Sequence, residues 1–243
     1  MSILSDRHSQ LISAIVKEHI ESSEPVGSKI LVEKYSLGVS AATVRNELIR
    51  LTEQGFLGKP HFSAGRTPTS LAFRHFIKDL MEVEEISVVK EVALKQKLWE
   101  TRQNPQQLVQ QAVTSLAEET QNLALALINN SQLHHAGMAN LLNHQEFYNI
   151  DLTRTVLRLL DETGLISSLF QQVSEGQEQG VLIGRDLGLE SLSPCGLVFA
   201  RIQPSRDRSG FLAVIGPARL DYPRIIPLVR YFRELVNQLG QNL

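Results

Sequence analysis

Cysteine is nearly absent from this chain, which holds one, Cys195, among 243 residues. A single thiol closes no intramolecular disulfide and builds no cysteine-based zinc cluster; before an apolar run, Cys195 reads as a small core residue. Metal-ligand spacing is missing too, because His134 and His135 are adjacent on an extended segment, face opposite ways and have no carboxylate to complete a site. No apolar run approaches membrane-spanning length, and the opening MSILSDRHSQL lacks the apolar core of a secretory signal. The expectation is a soluble, cytoplasmic protein with no membrane partner. An excess of one charge is also lacking: 24 Lys and Arg stand against 26 Asp and Glu. Residues 1–80 carry ten basic against eight acidic residues, so any nucleic-acid contact must come from a focused patch rather than a global field. The acidic pairs Glu118-Glu119 and Asp161-Glu162 read as solvated helix faces. Gly180 to Gly184 has no nucleotide-binding spacing, and no nucleophile stands beside a base. The chain reads as a non-enzyme without metal or cofactor. Apolar residues are not scarce, at 42%, so packed cores are expected rather than disorder.

What the sequence does contain is concentrated between Ser40 and Arg66. Ser40 is a good N-cap, and Val44, Leu48 and Leu51 recur on one helical face while Thr43, Arg45, Asn46, Arg50 and Glu53 fall on others. Gly55 is placed to stop the helix in a left-handed cap. Two short extended pieces follow, Phe56 to His61 and Thr67 to Pro68, around the tip Ser63-Ala64-Gly65-Arg66. Upstream, Ser5 to Ser22 reads as a helix with Leu11, Ile12, Ile15 and Val16 inward, Pro25 ends it, and Ser28 caps a short helix through Tyr35. Helix, short helix, helix, hairpin is the element order of a winged helix-turn-helix. Thr69 caps a fourth helix through about Val83, with Leu71, Phe73, Phe76, Ile77 and Leu80 apolar.

Residues 84–120 read as a helical connector, with Val88, Val92, Leu98 and Trp99 marking one segment. Asn104-Pro105 caps a second that carries Leu108, Val109, Ala112, Val113, Leu116 and Ala117. This stretch either packs on its own domain or serves as dimer helices. From Asn122 the pattern changes. Leu123 to Ile128 reads as a buried strand, Asn129-Asn130-Ser131 as a turn, Thr153 to Gln172 as one amphipathic helix. Val181 to Gly184, Cys195 to Ile202 and Gly210 to Gly216 are further strands, the last two a hairpin. Pro223 opens a terminal helix with Ile225, Ile226, Val229, Phe232, Leu235 and Val236 inside. The expected class is α+β: a winged helix-turn-helix over residues 1–83, a connector over 84–120, and an antiparallel α+β domain over 121–243.

Three stretches, Glu24-Pro25-Val26-Gly27-Ser28, Ser40 to Asn46 and Pro60 to Thr69, together resemble the heat-inducible transcription repressor family HrcA. So do Asn140-Leu141-Leu142-Asn143 with Glu146-Phe147, Ile183-Gly184, and Gly216 to Tyr222. The resemblance implies a homodimeric repressor with a winged helix and a GAF-like second domain. It also implies binding to double-stranded DNA at an inverted-repeat operator of chaperone genes, and support from a GroEL-type chaperonin. Phe62 departs from the small polar residue usual there, and Ala218 and Leu220 are milder changes. The chain is also short for the family, as if an inserted dimerisation domain had been lost between Ile128 and Gly137.

The DNA-facing candidates follow from side-chain chemistry. Arginine reads guanine bidentately, asparagine reads adenine, and a threonine methyl meets that of thymine, which nominates Thr43, Arg45, Asn46 and Arg50. Ser40 and Ala42, at the helix start, approach phosphate or bases. His61, Ser63, Gly65 and Arg66 suit backbone or minor-groove contact from the hairpin, and Ser28 and Lys29 are phosphate candidates. Which of them meets bases and which phosphate is open at this level, and Arg45 could instead turn inward to brace the hairpin. Two other readings stand beside the repressor: a metabolite-responsive regulator with an effector in the GAF-like domain, and a winged helix used to dock protein.

Overall fold

The computed structural model describes residues 4–35, 37–60, 65–174 and 176–240. Two compact units divide the chain, Met1–Glu82 and Val83–Leu243.

In the first unit, helix α1 (Asp6–Ser22) starts at Ser5, whose hydroxyl accepts from the His8 amide, and ends at Ser23 with a left-handed φ of 63°. Its buried face includes Leu11, Ile12, Ile15 and Val16. Helix α2 (Ser28–Lys34) departs from expectation at its start: Gly27 is the N-cap, and Ser28 is the first helical residue. The reason lies upstream, where Val26 is held extended by an antiparallel bridge to Arg66, so the chain turns into helix one residue early. The buried Glu18 accepts from Lys34 Nζ at 2.8 and 2.9 Å, which ties α2 to α1 and raises the lysine pKa. Helix α3 (Ala41–Glu53) buries Val44, Leu48 and Leu51, as its periodicity predicts, and Gly55 follows it with φ 82°.

Strands β1 (Leu57–Gly58) and β2 (Thr67–Pro68) pair antiparallel, with Leu57 opposite Pro68. The expected tip residues His61, Phe62, Ser63 and Ala64 lie outside the described residues. Helix α4 (Ser70–His75) runs on as a π-helical turn, Phe76–Leu80, three residues short of the expected end. Thr69 occupies its N-cap but makes no cap bond. Its hydroxyl donates to the carbonyls of Gly55 and Phe56 (2.7 and 3.0 Å), fastening the helix to the hairpin. Leu71, expected inside, is exposed.

The second unit opens with helices α5 (Val88–Glu100) and α6 (Pro105–Thr120). Asn104 caps α6 by accepting from the amides of Gln106 and Gln107, and the apolar residues from Leu108 to Ala117 are buried. These helices are part of the second unit's fold. Strands β3 (Leu123–Ile128), β4 (Gln132–Ala136), β5 (Gln179–Ile183), β6 (Cys195–Ser205) and β7 (Arg208–Pro217) form one antiparallel sheet, ordered β4-β3-β7-β6-β5. Of the edge strand β4 the sequence shows only His134 and His135 as extended and marks no strand, because the residues of β4 are polar and only half covered.

One sheet face, with Leu123, Leu125, Leu127, Leu197 and Phe199, packs on helices α7 (Ile150–Asp161) and α8 (Thr163–Gln171). Phe170 stacks on Phe211 there, ring centroids 4.2 Å apart. Alternate residues turn to α6 and to α9 (Tyr222–Gly240). Cover on both faces explains why β3 is apolar throughout instead of alternating. Helices α7 and α8 were expected as one helix. The chain leaves helix at Glu162, with φ −111° and ψ 84°, two residues before Gly164, a weak helix former in the first turn of α8. Ile226, expected inside α9, is half-buried.

A polar knot joins the Asn140–Phe147 stretch to the Gly216–Tyr222 stretch. Arg219 meets Glu146 with two bonds, Nε to Oε1 at 2.7 Å and a terminal nitrogen to Oε2 at 3.0 Å. Asn140 donates to the carbonyl of Asn122 at 3.2 Å, and Tyr222 donates to that of Ala218 at 2.7 Å. Burial, with Arg219 nearby, lowers the His144 pKa, and burial pushes the Cys195 thiol up to about 12. That thiol is inert packing, as the sequence suggested.

Candidate nucleic-acid interface

Helix α3 buries one stripe and leaves the other side open. Ser40, Ala42, Arg45, Asn46, Ile49, Arg50 and Glu53 are exposed, while Thr43 is half-buried. Ser40 spends its hydroxyl oxygen on the cap: it accepts from the Thr43 amide at 3.2 Å and lies 3.1 Å from the Thr43 hydroxyl. These two residues therefore stabilise the start of α3 before they touch anything outside.

The two arginines of α3 differ. Arg50 faces Glu47 at 3.4 Å, and Glu47 is also held by the His8 ring at 2.7 Å, a bond that lowers the Glu47 pKa. Part of the Arg50 charge is thus answered within the unit. Arg45 has no ion-pair partner among the described residues. Glu47 does not answer Arg45, because residues two apart on a helix do not face each other.

Arg45 lines a cleft of about 470 Å³ with Ser28, Lys29, Lys59, Gly65 and Arg66. Among the described residues, four cations from α2, α3 and the hairpin line this space, and no carboxylate does. Charges of one sign in a concave wall reinforce one another and attract a polyanion. This cleft is the candidate for the focused patch that the modest net charge demands. Ser28 and Lys29 of the α2 start thereby join the α3 face, whereas His61 and Ser63 fall on residues that are not described.

Arg66 and Gly65 carry structural duties that the sequence did not reveal. The Arg66 backbone exchanges two hydrogen bonds with Val26 (2.8 and 2.9 Å), and its Nε donates to Thr52 Oγ1 at 3.0 Å. Arg66, rather than Arg45, braces the hairpin against the helices. A Cβ on Gly65 would sit 2.5 Å from the Val26 carbonyl oxygen and 2.7 Å from that of Pro25. Close approach of two backbones, inside the protein, is one reason for this glycine. Gly65→Ala is therefore expected to lower the stability of the first unit by about 2 kcal/mol, as overpacking against rigid backbone does. Thermal unfolding would check this, and an unchanged melting curve would show that the 25–26 turn yields.

The second unit has a cleft of about 530 Å³ at the end of the sheet, lined by Asn129, Phe170, Arg201, Phe211 and Asn237 among others. Its polar groups are largely committed. The Arg201 guanidinium donates to the carbonyls of Gln177 and Ser174 and lies over the Phe211 ring. Asn129 and Asn237 accept from the amides of Ser209 and Gln203. These bonds give the effector-binding reading no support.

Comparison with known proteins places these features in a family. The family model described as "HrcA protein C terminal domain" matches residues 40–226. A protein named heat-inducible transcription repressor HrcA, from Desulforudis audaxviator, is 27% identical, with 99% of each chain covered. Another of that name, from Carboxydothermus hydrogenoformans, is 25% identical with the same coverage. The first alignment runs over 341 positions, 98 more than the 243 residues of this chain, so those relatives carry sequence that this chain lacks. A crystal structure of a hypothetical protein shares the fold, with a TM-score of 0.79 over 97% of this chain and 98% of that one at 19% identity.

Proposed function

The chain belongs to the HrcA family, and on that premise we propose that it is a sequence-specific transcriptional repressor of heat-shock genes, acting as a homodimer on an inverted-repeat operator. The first unit acts as a winged helix-turn-helix. Helix α3 enters the major groove, and the β1–β2 hairpin lies along the backbone. The carboxylate-free cleft that joins Arg45 to Lys29, Lys59 and Arg66 is the observation that carries this reading.

The roles divide by position. Arg45 and Asn46, exposed on the first half of α3, read base edges. Lys29, with Ser28, meets phosphate, and the start of α3 at Ser40, Ala42 and Thr43 approaches the backbone. Arg50 contributes less than Arg45, because Glu47 already faces it. The second unit, whose antiparallel α+β architecture is consistent with a GAF-like domain, holds the dimer and couples it to temperature: its loss of fold on heating dissociates the dimer and frees the promoter. A GroEL-type chaperonin that rebinds the unfolded second unit would maintain the active form. The protein works in the cytoplasm and has no catalytic role.

A salt-dependent titration on an inverted-repeat duplex and on a scrambled duplex tests the proposal. Operator affinity should exceed that for scrambled DNA by roughly 10³ or more at the same salt, and both should fall as salt rises. Equal affinity for the two duplexes across the salt series would overturn it.

A further inference from the structure

Helix α5 carries an apolar stripe that nothing among the described residues covers. Val88 is 73% exposed, Val92 61% and Trp99 49%, with Val89 beside them at 81%. Their spacing places Val88, Val92, Lys95 and Trp99 on one side of the helix. The opposite side is anchored: Leu94 and Leu98 are buried, Lys90 and Lys97 pair with Glu119 and Glu118 of α6, and the Tyr231 hydroxyl of α9 donates to the Glu91 carbonyl at 2.7 Å. The stripe is therefore held outward on a rigid platform.

Charge identifies what covers it. The approach to α5 is acidic, with exposed Glu84 and Glu85, while its far half carries exposed Lys95 and half-buried Arg102 against one carboxylate, Glu100, since Lys97 is held by Glu118. The Arg102 guanidinium lies 4.0 Å from the centre of the Trp99 ring. A parallel pair of such helices would set like charges together. An antiparallel pair sets the acidic end of each copy beside the basic end of the other, with Glu85 near Arg102 and Trp99 between Val88 and Val92. We propose that α5 is the surface through which two copies of this chain pair, antiparallel and about a two-fold axis. The inference deepens the homodimer reading above and rests on it.

Thirteen residues of helix are about 20 Å long. Their contact falls short of the ~1,200–2,000 Å² of a stable interface. The pair should therefore form in the micromolar range and tighten when one duplex presents two half-sites.

Trp99 is the single tryptophan, so the protein reports on its own pairing. Sedimentation equilibrium across the micromolar range should show a monomer–dimer equilibrium, and Trp99 emission should move to the blue as dimer forms. Val92→Glu should weaken association at least tenfold and abolish the shift. Val88→Glu, in the first helical turn where a carboxylate suits the helix, should do the same if Val92→Glu fails to fold. A monomer at every concentration, or a folded variant that associates like the parent, overturns the inference. Operator preference measured on the same samples separates it from the repressor reading. Preference retained without α5 pairing sinks only this interface, and pairing without preference sinks only the DNA reading.

Discussion

Arg45→Ala is expected to cost about 1–3 kcal/mol of operator binding, roughly 5- to 150-fold, with a much smaller loss on scrambled DNA. Arg45 stands on the open face of α3 without an ion-pair partner among the described residues, so its guanidinium is available to a base edge. Lys29→Ala is the control. A lysine that meets only phosphate should weaken both duplexes alike and reduce the salt slope by about one unit. Competition binding on the two duplexes reads both variants. If Arg45→Ala lowers both affinities equally, the arginine contacts backbone and base reading belongs elsewhere on α3, with Asn46 the next residue to replace.

Arg219→Ala should destabilise the second unit by about 3 kcal/mol, because it leaves the Glu146 carboxylate without its partner. The two side chains are only 10% and 22% exposed, and their contact is bidentate, so the pair is neither screened like a surface bridge nor easily replaced by water. For a unit of this size the loss corresponds to about 6–12 °C in melting temperature. Replacing both residues at once by apolar ones of similar volume should cost much less, since no buried charge then remains. Under the proposed mechanism, Arg219→Ala should also lower the temperature at which operator binding is lost, while affinity in the cold stays near that of the parent. A melting curve displaced by less than 2 °C would mean that water replaces the arginine.

Much of the fold was legible because local chemistry and tertiary packing agree in it. Ser5, Ser40 and Asn104 accept amide bonds at the starts of α1, α3 and α6, and the apolar stripes of α3 and α6 are the buried ones. The hairpin of β6 and β7 and the strand β3 could be read from their apolar runs. Where local signals are weak, the sequence misled. A half-covered polar edge strand has no periodicity to read, so of β4 only His134 and His135 were read as extended and its bounds were not. The break at Glu162 has a weak local signal, Gly164, which helices also tolerate in their interior. Thr69 occupies an N-cap position, yet its hydroxyl donates to the hairpin.

The candidate site divides in the same way. By itself the sequence determined that α3 exposes Arg45, Asn46 and Arg50 and that a Gly-Arg hairpin follows, because helical period and residue chemistry are local properties. Tertiary structure alone decided which cations act together. Lys29 and Arg45 lie on different helices, and the packing of α2 on α3, together with the bridge from Val26 to Arg66, brings α2, α3 and the hairpin around one cleft. It also decided that Arg66 braces, that Gly65 makes room for a neighbouring backbone, and that Glu47 answers Arg50 and His8 rather than Arg45. Charges in space follow distance, and distance across a chain is set by the fold.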